Sequence, residues 1–320
     1  SLSAFSAMCV DAGSFTLSGG SPSGGTYFGT GVSSGVFNPA TAGAGTHSIG
    51  YAYSDVNGCA DTAYQNIVVN PLPTVTLSAF SGVCIDAGTQ LLSGGLPTGG
   101  TYFGTGVSAG SFDPTTAGVG THSIGYAYSD VNGCADTAYQ NIVVNPLPTV
   151  TLTAFSDVCV DAGSQTLSGG LPTGGTYFGT GVSSGSFDPA TAGVGTHSIG
   201  YAYSDVNGCS DTAYQNITVN PLPIVTLSAF SAMCVDAGSL NLSGGSPTGG
   251  TYFGTGVSSG VFNPATAGAG TYSIGYAYSD VNGCADTAYQ NIVVNPLPTV
   301  TLSAFSGVCV DAGTQSLSGG

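Results

Sequence analysis

The string TYFGTGV recurs at Thr26, Thr101, Thr176 and Thr251, always at the same interval and without insertion or deletion. A repeat this regular constrains the fold more than any other feature, because one unit must fold and then stack or string with its copies. Residues 1–75 and 226–300 differ at only five positions: Ser1/Thr226, Phe15/Leu240, Thr16/Asn241, Ser23/Thr248 and His47/Tyr272. The closing stretch 301–320 repeats the opening phase of the unit, so the chain is expected to be a window on a longer array. N-P-L-P at Asn70–Pro73, Asn145–Pro148, Asn220–Pro223 and Asn295–Pro298 marks stiff, extended connectors. The expected domains are therefore 1–70 (incomplete at its start), 71–145, 146–220, 221–295 and the beginning of a further unit, 296–320.

Within the unit 71–145 residues alternate over 74–80 and most clearly over 121–129, with turn signals every 8–12 residues and no helical period. Strands are predicted over 74–80, 83–85, 90–93, 101–105, 107–112, 121–129 and 135–144, with a type I′ hairpin turn at Asn132–Gly133. On 121–129, His122, Ile124, Tyr126 and Tyr128 share one face. These signals predict an all-β fold: a tandem array of immunoglobulin-like antiparallel β-sandwich domains in an elongated rod.

The nine cysteines, Cys9, Cys59, Cys84, Cys134, Cys159, Cys209, Cys234, Cys284 and Cys309, alternate a long spacing with one half as long. Two pairings fit, one within a unit (Cys9–Cys59) and one across the connector (Cys59–Cys84). The first is favoured because a domain boundary separates 59 from 84. It gives one intradomain bond each: Cys9–Cys59, Cys84–Cys134, Cys159–Cys209 and Cys234–Cys284, with Cys309 left unpaired by truncation. In the chain-entropy picture each such loop contributes about 4 kcal/mol. Disulfides point to an oxidising, extracellular setting, and clustered metal-type spacings such as C-x₂-C do not occur.

Composition removes several function classes. The chain has no Lys or Arg, and its 16 acids are all Asp, for a formal charge of −16. It therefore lacks the phosphate-neutralising groups that nucleic acids and anionic lipids require. No apolar run approaches the roughly 20 residues of a membrane span. No nucleic-acid partner and no membrane insertion are expected. His47, His122 and His197 are the only imidazoles, and Tyr272 takes the fourth equivalent position. They read as packing residues, and no catalytic residue and no cofactor are expected.

Three weaker signals remain. Asp55, Asn57 and Asp61, repeated as Asp130, Asn132 and Asp136, Asp205, Asn207 and Asp211, and Asp280, Asn282 and Asp286, resemble the start of a calcium loop. The same residues are explained by a hairpin turn whose Asp and Asn bond their own backbone. Paired aromatics, Tyr102 with Phe103 and Tyr126 with Tyr128, could pack a core or bind carbohydrate. Thr62, Thr137, Thr212 and Thr287 each follow an Asp and precede a small residue.

Taken together, C-x-D-A-G, L-S-G-G-x-P-x-G-G-T-Y-F-G-T-G-V, F-[DN]-P-x-T-A-G-x-G-T, Y-S-D-x-N-G-C and N-P-L-P resemble the Ig-like repeats of very large Bacteroidota surface proteins. The best-known of these are gliding-motility adhesins of the SprB type. The resemblance implies a secreted cell-surface filament, exported through the outer membrane by type IX secretion, that attaches to an external surface or polysaccharide. It also implies contact with motility or secretion machinery through regions outside this stretch, and O-glycosylation at Thr62, Thr137, Thr212 and Thr287. A self-assembling extracellular filament or sheath, or a stalk presenting a carbohydrate-binding tip, are the alternatives.

Overall fold

A computed structural model describes residues 1–305 and 307–316. Of the segment 296–320, Ser306 and residues 317–320 lie outside the described residues. The chain divides into two units, Ser1–Thr149 with Ser204–Asp211, and Val150–Tyr203 with Thr212–Gly320. In each unit the same sheets recur once per sequence period, so the second period serves as the reference.

Its strands are β1 (Thr76–Leu77), β2 (Val83–Cys84), β3 (Gln90–Leu91), β4 (Gly95–Leu96), β5 (Thr101–Phe103), β6 (Val107–Ser108), β7 (Ser111–Phe112), β8 (Gly120–Ser129) and β9 (Ala135–Asn145). A single helical turn, α1 (Pro114–Ala117), separates β7 from β8. The strands form a four-stranded sheet in the order β5-β8-β9-β2, a three-stranded sheet β3-β7-β6 and a two-stranded pair β4-β1. The fold is thus an all-β, Ig-like array of small domains, with one departure from antiparallel pairing. Strand β2 runs parallel to the end of β9, with Val83 opposite Val144 and Cys84 opposite Asn145.

The core follows from the period-two pattern of the two long strands. Ile124 and Phe112 are fully buried, packed with Leu92, Ile142 and Val144, and Tyr102 and Val107 close the edges. Tyr126 is buried as well, and its hydroxyl is fully used: it donates to the Pro97 carbonyl (2.7 Å) and accepts from the Gly100 N–H (2.8 Å). A Cβ at Gly100 would lie 2.4 Å from the Ala127 carbonyl oxygen, so the loop can reach the tyrosine only as glycine. Tyr126→Phe leaves that N–H and carbonyl without their partner, and is expected to cost about 1–3 kcal/mol in urea denaturation.

Two turns differ from expectation. The predicted strand 107–112 is folded into a hairpin, β6–β7, whose central residues Ala109 (φ 47°) and Gly110 (φ 76°) both have positive φ. This is where a type I′ turn sits, because the two-residue loop must match the twist of its strands. The Asn132–Gly133 loop is wider. Gly133 N–H bonds the Asp130 carbonyl (3.1 Å), and of these two residues only Gly133 (φ 80°) has positive φ. The Asp130 carboxylate, which accepts from the N–H groups of Asn132 and Cys134 (2.9 Å each), holds the loop open. An alanine in the left-handed region is strained by roughly 1–2 kcal/mol. Ala109→Asn, a residue that tolerates this region, is therefore expected to raise the urea midpoint, by about 0.5–1 kcal/mol of stability.

The Pro/Gly-rich segment 113–120 holds the short helix that periodicity does not reveal. Asp113 caps it, accepting from Thr115 N–H (3.0 Å) and from the Thr116 hydroxyl (2.5 Å), and Pro114 occupies its first turn.

Candidate functional site: the repeat junction and the outer aromatic row

The cysteines are the first site. The structure bonds Cys9 to Cys134, Cys84 to Cys209, and Cys159 to Cys284, each with a sequence separation of 125 and a Cα–Cα distance of 5.5 Å. Each bond lies within one of the two units and joins the β2 cysteine of one period to the hairpin cysteine of the next. The expected within-period bonds Cys9–Cys59, Cys84–Cys134, Cys159–Cys209 and Cys234–Cys284 are therefore corrected: there is roughly one bond per period, but each joins two periods instead of closing one. The alternative Cys59–Cys84 does not form either. Cys59, Cys234 and Cys309 are free and exposed.

The reason is strand length. Cys84 is pinned opposite Asn145 at the end of β9, whereas Cys134 immediately precedes its start. The 11 residues of β9 hold the two about 35 Å apart, and a disulfide spans no more than about 7 Å between Cα atoms. The same parallel pairing sets Cys9 opposite Asn70, Cys159 opposite Asn220 and Cys234 opposite Asn295. Each β2 cysteine thus sits where its own period leaves for the N-P-L-P connector. The hairpin cysteines that meet it, Cys134, Cys209 and Cys284, are almost fully buried. Closing each 125-residue loop contributes about 5 kcal/mol in the chain-entropy model, and less for overlapping loops, which share residues.

The hairpin acids serve this loop. Asp55 accepts from the N–H groups of Cys59 and Asn57, and Asp205 and Asp280 repeat the arrangement. The Cys59 and Asn57 N–H bonds hold the Asp55 carboxyl below the ordinary carboxylate range. At Asp130 and Asp205 desolvation raises the carboxyl, but the hydrogen bonds from Cys134 or Cys209 and the preceding Asn outweigh it. A folded pKa below the unfolded one contributes stability at higher pH that is lost as pH falls through the folded value. The protection factor of the Cys134 amide, taken against its intrinsic rate at each pH, is accordingly expected to hold through neutral and mildly acid pH and to fall only below the ordinary carboxylate range.

Asp61, Asp136 and Asp286 each accept from the next threonine's N–H, so they turn toward their own strand and not toward Asp55, Asp130 or Asp280. Asp211 and Thr212 also have partners. Among the described residues no group of three His, Cys, Asp or Glu side chains converges as metal ligands would. Thr62 is exposed at the start of its long strand, and Thr137, Thr212 and Thr287 are half-buried there. His47, His122 and His197 bond the carbonyls of Gly43, Gly118 and Gly193 through Nε2 (2.8 Å each), and their rings lie against Phe37, Phe112 and Phe187. Tyr272 does the same work, with its hydroxyl on the Ala267 and Gly268 carbonyls and its ring against Phe262. His122→Tyr is accordingly expected to leave the melting temperature within about 2 °C of the parent.

The second site lies on the outer face of the long sheet. Register places Phe103 opposite Gly125, and Gly125 opposite Tyr139. The Phe103 ring lies over the bare glycine, where a Cβ would come within 2.3 Å of its Cζ. Phe103 and Tyr139 then meet edge to face at 5.9 Å. Both remain in solvent, 41% and 59% exposed, and Val143, four residues on along the same strand, is 41% exposed. The pair recurs as Phe28–Tyr64, Phe178–Tyr214 and Phe253–Tyr289. Of the aromatics singled out in the sequence, Tyr102 and Tyr126 instead pack against each other with tilted rings, centroids 4.7 Å apart, and Tyr128 is half-buried. Tyr139 is not among those residues, although it is out of phase with the buried Ile142 and Val144 on the same strand.

No known protein family and no curated protein matches the sequence. Solved structures with a similar chain trace include a Ca²⁺-stabilised adhesin that helps an Antarctic bacterium bind ice, at 15% identity, covering 91% of this chain and 96% of that one with a TM-score of 0.37. Others are Sidekick-1 immunoglobulin domains 1–5, at 12% identity, 93% and 80% coverage and TM-score 0.22, and titin domains I67–I69, at 14% identity, 69% and 98% coverage and TM-score 0.30. At TM-scores this low these likenesses carry no functional inference.

Proposed function

We propose that the chain is a tension-bearing, adhesive segment of an extracellular surface filament, and that it acts by binding and carrying force, without catalysis. The observation that carries this reading is the series of overlapping disulfides, Cys9–Cys134, Cys84–Cys209 and Cys159–Cys284. A bond from each domain into its neighbour has its largest effect when an array is pulled, since it takes most of the chain it encloses, the connectors at 70–73 and 220–223 included, out of the path of force. It also fits an oxidising, extracellular location. Adhesion is supported by the outer Phe–Tyr pair, which exposes one apolar and hydroxyl-bearing patch per period, of the kind that packs against sugar rings.

The test is retention on a polysaccharide matrix such as agarose. Replacing Tyr64, Tyr139, Tyr214 and Tyr289 together by Ala is expected to lower retention at least about tenfold, since repeated weak sites multiply. Equal retention by parent and variant removes the adhesive part of the proposal. Membership of a Bacteroidota gliding adhesin, with type IX export and glycosylated threonines, rests on the motif resemblance alone. Beads carrying antibody against the repeat should travel along a gliding cell that displays it. Stationary beads on moving cells count against that use. An intact mass equal to the bare sequence rules out the glycans.

A further inference from the structure

We propose that the occupant of the outer face of the long sheet is an uncharged polysaccharide, selected by a second pair, Ser123 and Asn141, that hydrogen-bonds it beside the Phe103–Tyr139 contact. This inference rests on the adhesive reading above and names its substrate class. Register sets Ser123 opposite Asn141 on β8 and β9, two residues along from Gly125 and Tyr139, and both are exposed. Two residues of strand measure about 7 Å, and the aromatic row crosses three strands, about 10 Å. A sugar ring lying on the aromatic pair therefore turns its edge hydroxyls toward the neighbouring amide and hydroxyl. The pairing recurs as Ser48 with Asn66 and Ser273 with Asn291, and Ser198 and Asn216 hold the same positions in the third period.

Charge decides the class of glycan. The outward positions of β5, β8 and β9 carry Thr, Phe, Ser, Gly, Ala, Tyr, Asn and Val, with no carboxylate among them. Asp136, at the start of β9, has the opposite parity and accepts from the Thr137 N–H (2.7 Å). A hydroxyl and an amide both donate and accept, as sugar hydroxyls do. A sulfate or carboxylate is instead held best by cationic donors, and the chain has no Lys or Arg and a formal charge of −16. An acidic glycan would lose hydration against this face and gain no partner for its charge. The same net charge opposes the approach of a second copy.

The two rows divide the work. The aromatics supply contact area that any sugar face can use, whereas the asparagines distinguish one pattern of hydroxyls and charge from another. Asn66, Asn141, Asn216 and Asn291 are thus specificity-determining residues. Removing the amide forfeits a hydrogen bond at each site, roughly a fivefold change in a single contact, and leaves the aromatic pair in place.

The experiment measures retention of the full chain on agarose and on cellulose beads, both uncharged, in about 0.5 M salt, where long-range repulsion is screened. Soluble fragments of the retaining glycan should elute the chain at concentrations at least about tenfold below those of its acidic counterpart, a sulfated galactan for agarose or carboxymethylcellulose for cellulose. Replacing the four asparagines together by Ala should lower retention roughly fivefold or more. Replacing them by Lys should reverse the order, so that the acidic fragments elute at the lower concentration. Far-ultraviolet circular dichroism confirms that each variant is folded. No retention on either matrix, or retention indifferent to the joint replacement of Tyr64, Tyr139, Tyr214 and Tyr289, overturns the adhesive reading and this proposal together. Retention that needs those tyrosines but yields equally to acidic fragments, survives Asn→Ala unchanged, or keeps its order in the Lys variant overturns this proposal alone. Self-association in sedimentation that the tyrosine replacement abolishes makes a second copy the occupant, and overturns it too.

Discussion

Pulled between residues 9 and 284, the oxidised chain is expected to lengthen by only a small fraction of what the reduced chain gives. With the bonds intact, force passes from Cys9 directly to Cys134, along the backbone to Cys159, and across to Cys284. The segment from Cys134 to Cys159 reaches about 90 Å when taut, whereas the whole stretch from Cys9 to Cys284 reaches about 950 Å once the bonds are reduced. Four within-period bonds would leave three such segments in the path, about 260 Å, so a single-molecule record separates all three cases. Steps that are the same with and without reductant contradict the bonding described here. A limit at the intermediate of these three lengths specifically favours bonds inside each period.

The second large effect is in the core. Phe112 is fully buried where β7 meets the long sheet, against Ile124, Ile142 and Val144. Phe112→Ala removes a complete aromatic side chain from a site whose walls are strands, so the space collapses poorly, and the expected loss is about 3–5 kcal/mol. For one small domain that approaches its whole stability. The equivalent residues Phe37, Phe187 and Phe262 are untouched, so denaturation followed by tyrosine fluorescence should divide into two transitions, a minor early one and a major one at the parent midpoint. A single, uniformly shifted transition would show instead that the domains unfold as one body.

Much of the fold is legible in residue order, because period-two alternation and turn residues are local signals. The two long strands and their buried Ile124, Ile142 and Val144 follow from them directly. The I′ turn lies elsewhere than Asn132–Gly133 because the chain uses Ala109–Gly110 for it and accepts the strain, against the usual Asn–Gly preference. The capped turn Pro114–Ala117 is too short to have a period at all. The disulfide partners illustrate a different difficulty. Regular spacing along the chain allows several pairings, and choosing between them requires a length in space: the rise of β9 separates the two cysteines that the sequence brings closest to a natural pair. That length is available from the predicted strand over 135–144. What no local signal supplies is the parallel pairing of β2 with Asn145, which carries Cys84 to the far end of its domain. The outer row is likewise half-visible, since the parity of Tyr139 is readable but the cross-strand register that seats Phe103 over Gly125 is not.

That parallel pairing also bears on how such a chain survives damage. Because each β2 cysteine lies at the exit of its own period and bonds beyond the next connector, the closed loops 9–134, 84–209 and 159–284 overlap one another. A protease cutting any one peptide bond between residues 9 and 284 therefore opens a loop without parting the two ends. Bonds confined to single periods would have left every connector a point where one cut severs the filament. The topology gives the chain fault tolerance, so that three well-placed cuts are needed to break what looks, in sequence, like a simple string.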